Sequence, residues 1–108
     1  MKAVTQITPA GLKALMDANH PFCLLDVREP WELALARIEG SVAIPLNEIP
    51  SRLTELDAAK AIIVMCRSGG RSQRAADFLV AHGFDQVSNL QGGITAWARD
   101  IDPQIPAY

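Results

Sequence analysis

Short apolar runs alternate along this chain with stretches of helical periodicity, and that alternation leaves few folds open. Val4 to Ile7 reads as a first strand. Thr8-Pro9 follows as an N-cap with proline at the first helical position, and Leu12, Leu15 and Met16 share one face of the helix so started. His20-Pro21 ends that helix, and Phe22 to Val27 is a compact apolar run of the kind that forms a buried strand. Pro30 opens a second helix containing Trp31, Leu33, Ala34 and Leu35. Val42 to Ile44 makes a short strand after the turn at Gly40, and Asn47 to Leu56 is a weaker helical stretch interrupted by Pro50. Ala61 to Met65 is the clearest strand, and Arg71 to His82 the clearest helix. The inner face of that helix is Ala75, Ala76, Phe78, Leu79 and His82, with Gly83 at its C-terminal cap. Gln86 to Leu90 is a fifth strand, Gly92-Gly93 a turn, Ile94 to Arg99 a last helix, and residues 102–106 an irregular tail. The expected architecture is therefore α/β: a central, mainly parallel five-stranded sheet with helices on both faces, formed by residues 1–108 as one domain.

Composition narrows the function. Net charge is −2 from 10 basic and 12 acidic residues, so no basic excess points to a nucleic-acid partner. The longest apolar run, Ala61 to Cys66, is far short of a membrane span, and the start Met1-Lys2-Ala3-Val4-Thr5-Gln6 turns polar too soon for a signal peptide. A cytoplasmic protein is expected. Two cysteines, Cys23 and Cys66, are too few for a disulfide scaffold. No metal-ligand spacing is present, and no metal or cofactor is expected.

In a parallel sheet, sites form at the carboxyl ends of the strands. The residue leaving the clearest strand is Cys66, followed by Arg67-Ser68-Gly69-Gly70-Arg71-Ser72 at the start of the clearest helix. Glycines let successive N–H groups turn inward as an anion-binding nest. A helix N-terminus adds unpaired donors, and Arg67 and Arg71 add charge suited to oxyanions. Such surroundings favour a thiolate. A cysteine ending an apolar strand is equally at home as plain core, but the Arg-Ser-Gly-Gly-Arg continuation has no use around an inert thiol. Cys23 lies inside an apolar run and reads as core, with a resolving-thiol role as the alternative. Trp31 and Trp97 read as packing residues, His20 and His82 as solvent-facing or capping, and Ser72 as a cap or loop support.

Cys66-Arg67-Ser68-Gly69-Gly70-Arg71-Ser72 resembles the active-site loop of rhodanese domains. Leu24-Leu25-Asp26-Val27-Arg28-Glu29, with Glu32 following, is similar to the family's first signature. Gly40-Ser41-Val42-Ala43-Ile44-Pro45 resembles its second, and Val87 to Trp97 its C-terminal signature. The resemblance implies a rhodanese-like fold and a sulfurtransferase. Cys66 would take the outer sulfur of thiosulfate or a related persulfide donor and pass it to cyanide, a dithiol or a protein thiol. Amides from Arg67 to Ser72 would cradle the sulfur, and Arg67 and Arg71 would bind the anionic donor. Asp26 and Arg28 would brace loops. The partners implied are a small-molecule sulfur donor and a thiol acceptor, with a thioredoxin-like or sulfur-relay protein as a candidate. The chain departs from the family at Ala36-Arg37-Ile38-Glu39-Gly40, where Gly-His-Ile-Pro-Gly is common, and at Ala43, where asparagine is usual. Arg37 could thereby add charge near the pocket. Two other readings compete: a non-catalytic sulfur-carrier or regulatory module, and a small phosphatase or arsenate reductase. The latter loops have five residues between cysteine and arginine, against four between Cys66 and Arg71 here.

Overall fold

A computed structural model describes residues 3–108; Met1 and Lys2, part of the polar start noted above, lie outside the described residues. Five strands, β1 (Thr5–Ile7), β2 (Cys23–Asp26), β3 (Val42–Ala43), β4 (Ile62–Met65) and β5 (Val87–Leu90), form one sheet in the order β1-β5-β4-β2-β3. Every pairing is parallel. Four helices lie between and after them: α1 (Pro9–Asp17), α2 (Pro30–Leu35), α3 (Gly70–Ala81) and α4 (Gly93–Asp100).

Strand alternation divides the core into two layers. Leu25, Ile62, Val64 and Val87 point to one face, where Ala75, Ala76 and Leu79 of α3 cover them. Leu24, Ile63, Met65 and Leu90 point to the other, against Leu12 of α1 and Ile94 and Trp97 of α4. β4, central in the sheet, is buried along its whole length. It reads as an unbroken apolar run because both of its faces are covered.

Local signals act as the sequence suggests at most element ends. The Thr8 side chain accepts a hydrogen bond from the Gly11 amide at 3.0 Å, with Pro9 in the first turn of α1. Gly83, with φ of +93°, follows the end of α3. Three expectations need correction. The stretch 47–56 is no α-helix but two short 3₁₀ segments, Leu46–Glu48 and Pro50–Glu55. Pro50 cannot donate a backbone hydrogen bond, and Arg52 (φ −117°) breaks the second segment. Trp31 is 62% exposed rather than packed, because the inward position of short α2 is taken by Glu32. His82, placed by its spacing on the inner face of α3, instead takes the solvent-facing, capping position of its other reading: it is exposed, stacks on Phe78, and lies with Nδ1 2.8 Å from the Phe78 carbonyl oxygen.

Asp26 and Arg28 lie at the carboxyl end of β2. Both side chains are fully buried and paired at 2.8 Å. Arg28 Nε also donates to Asp26 Oδ1 at 3.0 Å, and Nη2 donates to the Ala36 carbonyl at 2.7 Å, which ties the end of β2 to the end of α2. A charge buried this deeply is tolerable only with its partner present. Arg28→Met should therefore lower the unfolding free energy by about 3–5 kcal/mol. Chemical denaturation measures this, and a loss under about 1 kcal/mol would show that the pair is not a clamp.

Candidate active site

β4 delivers Cys66 to the carboxyl edge of the sheet, and the chain then turns through Arg67, Ser68 and Gly69 into α3. The turn requires Gly69, which sits at φ +113° as the residue before α3. α3 begins at Gly70, one residue before the expected start, and Arg71 and Ser72 lie in its first turn as the sequence suggests.

The loop closes on the sulfur. The Gly69 amide donates to Cys66 Sγ at 3.1 Å, and the Ser72 hydroxyl lies 3.4 Å from it. Cys66 is almost wholly buried. Burial, the largest single influence, pushes its thiol pKa up. The Ser72 hydroxyl and the amides of Ser72, Gly69 and Ser68 oppose that, and together they bring the thiol below its ordinary value. Thiolate stabilisation here comes from oriented N–H and O–H dipoles, not from an adjoining base.

The inward amides are held from behind. The first amides of α4 bond to the loop's outward carbonyls: Ile94 N–H to Cys66 O at 2.9 Å and Thr95 N–H to Arg67 O at 3.1 Å. Gly93 permits this approach. Its φ is +57°, and a Cβ there would lie within 2.5 Å of the Arg67 carbonyl oxygen and closer still to that of Cys66.

Asn89, near the end of β5, was not singled out from the sequence beyond its place in the C-terminal signature. Its Oδ1 lies 2.5 Å from the Ser72 hydroxyl oxygen and competes with Cys66 Sγ for that hydroxyl's single proton, and its amide nitrogen donates to Gln6 and Gln73 at 3.1 and 3.2 Å. A buried polar side chain at a strand end beside the loop was the available signal.

The arginines divide unequally. Arg71 makes a bidentate pair with Glu32 at 2.5 and 2.8 Å. Glu32 also accepts from the Glu29 amide at 3.0 Å and the Tyr108 hydroxyl at 2.7 Å. These bonds, the Arg71 pair foremost, hold its carboxyl down to about 2. Arg67 is exposed, and its guanidinium lies 4.7 Å from the centre of the Tyr108 ring. Arg37 sits exposed after α2, 3.5 Å from the Ser41 carbonyl oxygen and apart from the loop's hydrogen bonds. Cys23 pairs with Ile62 at the start of β4, four residues before Cys66, so the thiols are separated along the strand by about 13 Å. That spacing removes the resolving-thiol alternative. Beside the loop, a groove of about 540 Å³ is lined by Leu46, Ile49 and Phe78 with Arg71 and Arg74. No helix among the described residues is long and apolar enough to cross a membrane.

Two outcomes follow from this geometry. The alkylation rate of Cys66 against pH should show a midpoint below that of ordinary cysteine, and Ser72→Ala should raise it; an unshifted midpoint would contradict the cradle. The Glu32 carboxyl lies below its ordinary 4.5 in the folded chain, so its contribution to stability is complete above about pH 4.5 and is lost as pH falls toward about 2. Unfolding free energy should fall through that window in the wild type and fall less steeply in Glu32→Gln.

Comparison with known proteins supplies context for this geometry. The profile of the family described as "Rhodanese-like domain" matches residues 8–100. The protein named "Putative sulfurtransferase YtwF" of Bacillus subtilis is 36% identical, the match covering 94% of this chain and 97% of that one. A Zea mays protein named "Adenylyltransferase and sulfurtransferase MOCS3-1" is 38% identical over 95% of this chain, but the chain spans only 24% of that relative's length. Among solved structures, a rhodanese-related protein of Thermoplasma volcanium superposes with a TM-score of 0.81 at 33% identity, covering 90% of this chain and 93% of the other.

Proposed function

The chain belongs to the rhodanese-like domain family, and from that premise we propose that it is a sulfurtransferase carrying sulfane sulfur as a persulfide on Cys66. The observation that carries the reading is the convergence of the Gly69 amide and the Ser72 hydroxyl on Sγ of a buried thiol with a lowered pKa. The names of relatives such as the Bacillus subtilis protein support the same reaction class.

With thiosulfate as donor, the Cys66 thiolate attacks the outer sulfur. A bond forms between Sγ and that sulfur, the bond from it to the sulfonate sulfur breaks, and its electron pair leaves with sulfite. The product is a persulfide anion on Cys66. No proton is transferred, so no general base is needed beside the nucleophile. The loop amides that favour the thiolate can then bind the terminal sulfur of the persulfide, whose charge lies one atom further out. In the second half, an acceptor thiolate attacks the terminal sulfur and Cys66 leaves as a thiolate again. The groove lined by Leu46, Ile49, Phe78, Arg71 and Arg74 offers such an acceptor an apolar bed with cationic side chains next to the loop. The acceptor class is a dithiol or a protein thiol, which includes a thioredoxin-like or sulfur-relay partner. The reaction would run in the cytoplasm, a reducing compartment that keeps Cys66 available as a thiol.

Thiosulfate should add one sulfur atom, about 32 Da, to the wild type and not to Cys66→Ser, with loss of that mass on treatment with a dithiol. Intact mass spectrometry reads this directly. Uptake by Cys66→Ser would remove Cys66 from the reaction. Failure of the wild type with thiosulfate and with organic persulfides would favour the binding-module reading, and hydrolysis of an aryl phosphate in place of sulfur uptake would favour the phosphatase.

A further inference from the structure

Tyr108 lies beyond the matched family residues and belongs to none of the four signatures, yet it reaches back to the site. Its hydroxyl donates to Glu32 Oε2 at 2.7 Å and accepts from Arg28 Nη1 at 2.9 Å. Its ring meets the edge of Trp31 with centroids 6.0 Å apart. The Arg67 guanidinium lies against the same ring, 4.7 Å from its centre. These contacts hold the hydroxyl between two fixed side chains and the ring against Trp31, because Glu32 is itself locked to Arg71 and Arg28 to Asp26.

Of the cations near the loop, Arg28 is neutralised by Asp26 and Arg71 by Glu32, while Arg74 lies one turn further along α3, in the neighbouring groove. Among the described residues, Arg67 makes no ion pair, so its charge remains available to an anion arriving at Cys66. A guanidinium on a flexible stem loses side-chain entropy when it is fixed by a ligand. One already resting on a rigid aromatic face has lost much of that freedom beforehand, and retains its edge for hydrogen bonding.

We infer that Tyr108 is a positioning residue: its ring holds the Arg67 guanidinium at the mouth of the Cys66 loop as the subsite for the anionic end of the donor. The hydroxyl anchors the ring through Glu32 and Arg28, and the ring face orients the arginine. The turnover part of the test rests on the sulfurtransferase reading; the alkylation part does not.

Cys66 is alkylated with iodoacetamide, which is neutral, and with iodoacetate, which is anionic. The rate ratio of anionic to neutral reagent reads local attraction, while the neutral rate alone reads the integrity of the loop. Tyr108→Ala and Arg67→Ala should each lower the ratio by about fivefold, the range of a cation–π contact of moderate strength, and Tyr108→Ala, which keeps the charge, should leave the neutral rate unchanged. The double variant should fall no further than either single one. Tyr108→Phe, which keeps the ring but loses the hydroxyl that anchors it to Glu32 and Arg28, should give a ratio between those of Tyr108→Ala and the wild type. In turnover, Tyr108→Ala should raise KM for thiosulfate by a similar factor with kcat nearly unchanged. An unaltered ratio in Tyr108→Ala, additive losses in the double variant, or a parallel fall in the neutral rate of Tyr108→Ala would each overturn the inference. Absence of sulfur uptake from any donor would sink the sulfurtransferase reading alone, since the alkylation ratios still decide on Tyr108.

Discussion

The site depends on a single backbone arrangement: the carbonyls of Cys66 and Arg67 face the first amides of α4, and the amides that follow face the sulfur. A peptide unit has its N–H and C=O on opposite sides, so holding the carbonyls outward turns neighbouring N–H groups inward. Two elements distant in sequence are thereby needed to shape one loop. Gly93 is what lets them meet, since any side chain there would collide with the carbonyls it must admit. The loop's own glycine, Gly69, supplies the left-handed turn into α3, and its carbonyl is held by the Gln73 amide and the Asn89 side chain, while α4 holds the carbonyls of Cys66 and Arg67.

Charge around this cradle is handled sparingly. Two of the arginines near the sheet's carboxyl edge are engaged by carboxylates: Asp26 with Arg28 in the interior, and Glu32 with Arg71 closer to the surface. A cation placed directly against the sulfur would bind the thiolate so well that it would blunt its nucleophilicity. Dipoles from Ser68, Gly69 and Ser72 stabilise the anion without a fixed counter-ion, and they suit a sulfur that shifts outward by one bond during the proposed cycle. Asn89 joins this arrangement indirectly, by fixing the Ser72 hydroxyl and linking it to Gln6 and Gln73.

The resemblance in the sequence pointed to Cys66 and its loop as the candidate site, and the structure shows how differently the neighbours are placed. Arg67 and Arg71 look alike in the motif. They differ in space because Glu32, one helical turn into a separate element, reaches only Arg71. Trp31 and Trp97 look alike on short helices, yet Trp97 is buried against the sheet while Trp31 stands in solvent beside Tyr108. The tail, irregular by its prolines, held no sign that its tyrosine returns to the site.

What the sequence determined by itself was local or periodic: the alternation of strands and helices, the Thr8-Pro9 start of α1, the all-apolar β4, and a cysteine followed by a glycine-rich turn into a helix. Each of these is set by residues within a few positions of one another, so short-range sterics and hydrophobic period are enough to reveal them. Tertiary structure alone decided the strand order, the backing of the loop by α4, the pairing of Arg71 with Glu32, and the meeting of Tyr108 with Arg67. Those contacts join residues tens of positions apart. Their geometry is fixed only when packing of the two apolar layers brings the carboxyl ends of the strands to one edge, and no local preference encodes which side chains will then face each other.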